Sequence, residues 1–168
     1  SQIALINKNN KIVYKEVPLE IGYTDSAQIV ENRNENPKQN YIVFHHNKQA
    51  TEGSLHYESI TYFSDKAKNF ETKNTKNSIY KKLSAVSLKN GYIVTAGVNP
   101  ISTERAETSV EIRLHEPVRK TEGIGCSFEA TNELISCFEQ ADNDVYCVYV
   151  HDDPLSLYSR IAMRHLAI

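Results

Sequence analysis

The sequence predicts an all-β protein with an antiparallel repeat architecture, and three observations carry that expectation. Short runs rich in Val, Ile, Tyr, Phe and Thr alternate with clusters of Asn, Lys, Asp and Gly, the pattern of strands and turns. Several runs are apolar at both alternating sets of positions, as in Tyr41-Ile42-Val43-Phe44, Tyr92-Ile93-Val94 and Val145-Tyr146-Cys147-Val148-Tyr149-Val150. Strands of that kind are covered on both faces, as in stacked sheets. An order of strand, turn, buried strand, polar loop and strand recurs three times.

Taken in order, strands are expected at Ile3–Ile6, Lys11–Val17, Ala27–Val30, Tyr41–His46, Ser54–Phe63, Leu83–Leu88, Tyr92–Val98, Val110–His115, Cys126–Ala130, Leu134–Glu139 and Val145–Val150. Asn7-Lys8-Asn9-Asn10, Lys89-Asn90-Gly91 and Asp142-Asn143-Asp144 supply turn chemistry, because Asn, Asp and Gly tolerate left-handed or side-chain-braced backbone. Glu31–Gln39, dominated by Asn, Glu and Lys, reads as a solvated loop within one domain. Asp152-Asp153-Pro154 is a helix start signal, with Leu155, Tyr158, Ala162 and Leu166 on one helical face. The competing expectation for that segment is a strand over Leu155–Met163, which the rest of the chain favours.

The repeat units are Ala27–Val30 with Tyr41–His46 and Ser54–Phe63, Leu83–Leu88 with Tyr92–Val98 and Val110–His115, and Cys126–Ala130 with Leu134–Glu139 and Val145–Val150. Their middle strands begin at Tyr41, Tyr92 and Leu134, steps that suit a four-stranded propeller blade of ~40–50 residues. Ser84 to Val94 resembles the strand-turn-strand opening of a β-propeller blade. Phe63-Ser64-Asp65-Lys66-Ala67-Lys68-Asn69-Phe70 resembles a degenerate Asp box, the Ser-x-Asp-x-Gly-x-Thr-Trp hairpin turn of sialidase-like propellers. Asp65 matches outright, and Phe70 stands for the tryptophan. The resemblance implies a structural turn, in which Asp65 accepts backbone N–H bonds and Phe70 packs under the hairpin. Sialidase chemistry does not carry over, since no Arg-Ile-Pro segment and no arginine triad with a tyrosine–glutamate pair is present.

Three units also suit a β-trefoil or closed barrel. Length discriminates: 168 residues as a complete chain point to a trefoil or barrel, whereas a piece of a longer chain points to a propeller of about three blades, because closed propellers have ~4–8. The chain opens at Ser1 without a basic-then-apolar leader, so any signal peptide has been removed or never existed.

The cysteines are the most local chemical signal. Cys126 and Cys137 flank the Thr131-Asn132 turn and Cys137 and Cys147 flank Asp142-Asn143-Asp144, so hairpin register would align all three in a lateral row. A disulfide with one thiol left over implies an oxidising compartment, extracellular or at a cell surface. Three reduced thiols serving as small core hydrophobes are the equal alternative. No Cys-x₂-Cys spacing suggests zinc. Of the six histidines, His45 and His46 point to opposite faces of one strand and do not easily share an ion. A rim site of His46, His56 and an acid is the alternative to ordinary surface histidines, and no metal is expected.

Charge is unevenly placed. Asp65 to Lys89 holds seven lysines against two acids, and Glu122 to Asp153 holds eight acids and no Lys or Arg. Head-to-tail association with another copy follows as one expectation, and a solvated face as the other. The net charge of −2 gives no overall pull toward nucleic acid. No apolar run approaches the ~18 residues of a membrane helix. No Gly-x-Ser-x-Gly, phosphate-cradling loop or His-Glu-x-x-His occurs. Asp152-Asp153 offers paired carboxylates that helix capping or a turn explains more simply. With 15 Asn and no Asn-x-Ser/Thr sequon, a secreted eukaryotic glycoprotein is disfavoured.

The function expected is therefore a non-catalytic binding or structural module without cofactor. Its loops would recognise other protein chains, further copies of itself or glycans. The alternatives are a sialidase-like carbohydrate-active enzyme and a trefoil-like lectin.

Overall fold

A computed structural model describes residues 2–6, 9, 12–16, 23–34, 39–48, 56–64, 71–75, 80–98, 108–130, 134–152 and 159–168. These residues form antiparallel strands in chain order: β1 (Gln2–Ile6), β2 (Ile12–Glu16), β3 (Tyr23–Glu31), β4 (Tyr41–Lys48), β5 (His56–Phe63), β6 (Glu71–Thr75), β7 (Lys81–Ser87), β8 (Ile93–Val98), β9 (Thr108–Glu116), β10 (Thr121–Ala130), β11 (Ile135–Ala141), β12 (Asp144–Asp152) and β13 (Ser159–Ala167). β1 and β2 make a hairpin. Three meanders follow, each with neighbouring strands paired in sequence order: β3-β4-β5-β6, β7-β8-β9-β10 and β11-β12-β13. Among the described residues no sheet closes on itself, so the closed-barrel alternative is not the architecture observed.

The three meanders pack face to face with the second in the middle. Val30, Ile42, Phe44, Ile60 and Tyr62 of the first sheet bury against Ile93 of the second. On its other face, Leu88, Val94, Ala96, Val98, Val110 and Ile112 bury against Ile135, Cys137, Val145 and Cys147 of the third. Every residue of β8 is buried. Because side chains alternate along a strand, Ile93, Thr95 and Gly97 face the first sheet while Val94, Ala96 and Val98 face the third. A run apolar at both sets of positions is what such a location requires, and ordinary polar alternation would strand hydrophilic groups in a dry interface.

The opening strands of successive sheets lie beside one another, β3 against β7 and β7 against β11. Serines connect them. The Ser26 hydroxyl donates to the Lys82 carbonyl at 3.2 Å, the Ser87 hydroxyl donates to the Glu31 carbonyl, and the Cys137 N–H donates to the Ser84 hydroxyl at 2.9 Å. A register shift between Lys82 and Ser84 re-aims β7, so that Lys82 faces the first sheet while Ser84 faces the third.

Turn chemistry holds where the chain reverses tightly. Gly91 adopts φ +87°, its N–H reaches the Leu88 carbonyl at 3.0 Å, and Asn90 Oδ1 accepts from the Tyr92 N–H at 3.1 Å. Asn143, with φ +66°, turns the chain between β11 and β12.

Two expectations are corrected. Residues 159–167 extend along β12 as a strand, as the favoured reading of this segment expected for Leu155–Met163, but the pairing continues to Ala167. These residues do not form the alternative helix, and residues 153–158 lie outside the described set. The apolar spacing that suggested a helix is instead Ala162 and Leu166 alternating with Ile161, Met163 and His165 on a half-covered sheet. Cys126–Ala130 belongs to β10, the last strand of the second sheet, and does not open the third unit. The phase slipped because Glu71-Thr72-Lys73-Asn74-Thr75, which forms β6, holds no apolar residue and gives no strand signal. The Asp65 and Phe70 turn lies outside the described residues. No helix among the described residues is long and apolar enough to cross a membrane.

Gly97 marks the tightest approach. A Cβ there would collide with the Lys81 carbonyl oxygen and lie 2.8 Å from Tyr80 Cζ. Gly97→Ala should therefore cost about 2–3 kcal/mol through overpacking, although Gly→Ala at an unstrained strand position stabilises. Urea unfolding of the two proteins measures the sign.

Candidate functional site

The concentration of ionisable side chains lies between the first and second sheets. β7 contributes Lys82, β5 Glu58 and Tyr62, β9 Glu111, Arg113 and His115, and β10 Glu122, with Tyr80 just ahead of β7. Cross-strand register explains the gathering: Gly97 is opposite both Lys82 and Glu111, Thr95 is opposite Arg113, and His115 is opposite Glu122. The small side chains of Gly97 and Thr95 leave room on the face of β8 that looks toward the first sheet.

Lys82 is the hub. Its ammonium donates to Glu58 and lies 2.8 Å from Glu122. It also sits 4.8 Å from the Phe44 ring centroid and 5.5 Å from that of Tyr80, distances at which a cation is attracted to a ring face. Arg113 stacks over Tyr80 at 3.7 Å and holds Glu111 at 2.8 Å and Glu122 at 3.2 Å. The Tyr80 hydroxyl donates to the Glu111 carbonyl at 2.5 Å. Tyr62 and His115 are joined at 3.0 Å through the hydroxyl and Nε2, and His115 meets Phe44 edge-on at 5.3 Å.

Burial and charge push the two central carboxyls in opposite directions. Burial raises the Glu58 carboxyl above the usual range, and Lys82 only partly opposes it. Burial acts the same way on Glu122, but Lys82 and Arg113 together outweigh it and hold that carboxyl below the usual range. Burial also raises the phenols of Tyr62 and Tyr80. Two carboxyls with separated proton affinities are the arrangement of an acid–base pair. Here the Glu58 side chain is 4% exposed and that of Glu122 16%, and both are already engaged by Lys82. Through Lys82 and Glu58 the cluster ties the first sheet to the second.

On the other face of β4, His45 Nε2 lies 2.8 Å from Thr61 Oγ1. Desolvation by burial lowers His45 to about 4. His46 and His115 are also buried, which corrects the expectation of surface histidines; only His151 and His165 among the described side chains are exposed. His56 lies in β5, but its side chain is outside the described set, and the rim site with His46 is not assembled by any described contact. Among the described residues no three His, Cys, Asp or Glu side chains gather as a metal site.

Cys137 and Cys147 are direct register partners on β11 and β12 and form a disulfide with Cα atoms 4.1 Å apart. Cys126 is a free, half-buried thiol. The lateral row of three does not form, because β10 pairs with β9 in another sheet and never meets β11 edge to edge. Cys126 lines a cleft of about 210 Å³ with Val94, Ile112, Arg113, Leu114, Gly125 and the C-terminal Leu166, Ala167 and Ile168. That is below the ~300–1,000 Å³ of ordinary small-molecule sites.

Two lysines of the basic stretch meet acids of the acidic stretch within the chain, one pair buried and one on the surface. Lys82 binds Glu122, Lys89 reaches Asp142 at 2.5 Å, and the Lys89 N–H donates to Glu139 at 3.1 Å. Intramolecular pairing thus takes up these charges, which the expectation of head-to-tail association would have placed between copies. The roles of Lys82, Glu58, Glu122 and Arg113 were missed in the sequence, where Lys82 is one lysine of a polar stretch. The available hint was Lys82 beside Tyr80, opposite a glycine in an otherwise β-branched strand. Comparison with known proteins adds no relative: no family model, curated protein or solved structure matches the chain.

Two outcomes test the electrostatics. Lys82→Met leaves two buried carboxyls facing each other and should cost about 3–5 kcal/mol, whereas Glu58→Gln, with Lys82 still paired to Glu122, should cost under about 1 kcal/mol; chemical denaturation separates them. His45, lowered from 6.5 to about 4, stabilises the fold above its unfolded value and loses that contribution as pH falls from ~6.5 through ~4. The total is about 3 kcal/mol. His45→Gln should flatten the fall in unfolding free energy across that window, and an unchanged pH slope would show that His45 is not the titrating group.

Proposed function

We propose that this chain is a run of β-propeller-type blades serving as a non-catalytic binding or structural module. The observation that carries the reading is the row of antiparallel meanders packed face to face with their opening strands adjacent, joined by Ser26 to Lys82 and by Cys137 to Ser84. A β-propeller arranges its blades around the axis in that manner. The Asp65 to Phe70 resemblance to an Asp box supports the same reading at the level of sequence, with a structural role for the turn.

The chemistry of the interior supports a scaffold over an enzyme. Its acids and bases neutralise one another in a buried interface, and the open cleft beside Cys126 is lined chiefly by apolar groups. Recognition then falls to the loops and sheet surfaces, where rigid β scaffolds carry it. Partner proteins, further copies of the chain or glycans are the proposed ligands. The Cys137–Cys147 disulfide supports an oxidising compartment, since such bonds persist there.

The test combines a glycan array with turnover assays on sialosides and other glycosides. Binding without hydrolysis is expected of the module, and hydrolysis that survives purification would overturn it. Asp65→Ala adds a discriminating arm: a structural turn predicts a lowered unfolding midpoint, whereas a catalytic Asp65 predicts lost turnover with the midpoint unchanged.

A further inference from the structure

The three cysteines lie on two facing sheets, and strand direction decides which of them meet. β7 and β11 run side by side in the same sense. The Cys137 N–H donates to the Ser84 hydroxyl at 2.9 Å and, further along both segments, the Lys89 N–H donates to Glu139 at 3.1 Å. β10 runs opposite to β7, and β12 opposite to β11, so β10 and β12 are parallel where their sheets face each other.

Side-chain alternation turns the sulfur atoms into the same interface. Cys126 and Phe128 of β10 are opposite Ile112 and Val110 of β9, which bury against the third sheet, and cross-strand partners share a face. Val145 and Cys147 of β12 bury against the second sheet, and Tyr149 follows them in alternation. Two ring contacts then fix the offset. The Phe128 and Tyr149 centroids are 4.5 Å apart. The guanidinium of Arg164, which is opposite Cys147, lies 5.0 Å from the Phe128 centroid. Two residues back along each of these parallel strands stand Cys126 and Cys147. Leu166, opposite Val145, lines one cleft with Cys126. Cys126 therefore stands over the Val145 to Cys147 step of β12. Cα atoms of β10 and β12 come within 8 Å of each other, closer than the ~10 Å of ordinary sheet packing, and disulfides bridge facing sheets of β-sandwiches across such a gap.

We propose that Cys126 exchanges with the Cys137–Cys147 disulfide, moving the covalent tie from within the third sheet to between the second sheet and the third. The Cys126 thiolate attacks Cys147 Sγ. The Cys126–Cys147 bond forms as the Cys137–Cys147 bond breaks; the Cys126 proton passes to solvent, and the departing Cys137 thiolate takes one up. One disulfide and one thiol stand on each side of the exchange, so no oxidant or reductant is consumed. Cys147 is the sulfur attacked because β10 faces β12, whereas Cys137 lies on β11 at the opposite side of the interface, beside Ser84 of β7. The present bond joins two strands already paired in a ladder. The exchanged bond joins two sheets that no ladder connects, at the side remote from the Ser84 contact. The third sheet thus alternates between being pinned to the second at one side and at both. This switch goes beyond the module reading and does not rest on it.

Peptide mapping reads the exchange directly, because cleavage after Glu129, Glu133 and Glu139 puts the three cysteines on separate peptides. The intact oxidised chain is held at pH ~8, where thiol–disulfide exchange proceeds, without added thiol, then alkylated and digested in acid. A Cys126–Cys147 peptide pair should appear while alkylation moves in equal measure from Cys126 to Cys137, at a rate independent of protein concentration. Alkylation that stays on Cys126, a rate proportional to concentration, or a comparable yield of Cys126–Cys137 overturns the proposal. A second arm uses variants. Cys137→Ser should close Cys126 onto Cys147 with oxidised glutathione, and Cys147→Ser should leave Cys126 and Cys137 unlinked. Linkage in both variants, or in neither, overturns the pairing.

Discussion

The middle sheet has water on neither of its central faces, and the rest of the molecule is arranged around that constraint. All six residues of β8 are buried, so each must find a partner in one of two neighbouring sheets. The two faces solve the problem differently. Toward the third sheet the solution is apolar, with Val94, Ala96 and Val98 against Ile135, Val145 and the Cys137–Cys147 disulfide. Toward the first sheet Gly97 and Thr95 leave space, and the space is filled by Lys82, Arg113 and the carboxyls that neutralise them.

An ionic cluster in a dry interface gives directionality that apolar contact lacks. Buried charges cost several kcal/mol each to desolvate and return it only in good geometry. The first sheet therefore has one position at which Glu58 meets Lys82 while Phe44 covers the ammonium and Tyr62 meets His115. The serine bonds between opening strands act in the same sense. Their individual contributions are modest, on the order of 1 kcal/mol, but they join backbones that no sheet ladder connects. A short disulfide loop between β11 and β12 contributes about 3 kcal/mol by restricting the unfolded chain, and it lies inside the apolar interface, where it also acts as packing.

This organisation separates the interior from the surfaces available for recognition. Lys82, Glu58 and Glu122 are occupied with one another. The outward face of the third sheet is different, presenting Phe138, Tyr146, Met163 and Ile161, with Phe138 and Tyr146 stacked at 5.9 Å and Tyr146 and His165 at 4.6 Å. The buried ionic cluster therefore lies between the first two sheets, and the exposed aromatic and aliphatic side chains gather on the outward face of the third.

Strand class and antiparallel order were legible in the sequence because they depend on local alternation and turn residues. Gly91 and Asn143 signal their reversals by residue type alone, and the doubly apolar runs at Tyr41 and Ile93 announce cover on both faces. β6 was not legible, because a polar edge strand differs from a loop only in having a neighbour. Nor was the phase of the repeat, which turns on whether β10 pairs backward with β9 or forward with β11. Residues 155–166 satisfy a helical and a strand spacing together, and only β12 alongside decides between them. The ion cluster lay furthest from sequence reading: Glu58, Lys82 and the Arg113–Glu122 hairpin are far apart in the chain, and each is an ordinary charged residue there. The sequence by itself determined the strands, the turns and the need for stacked sheets, since those follow from side-chain period and backbone preference. Which charge is buried and which cysteine is free were decided by tertiary structure, because each depends on what a distant strand places opposite.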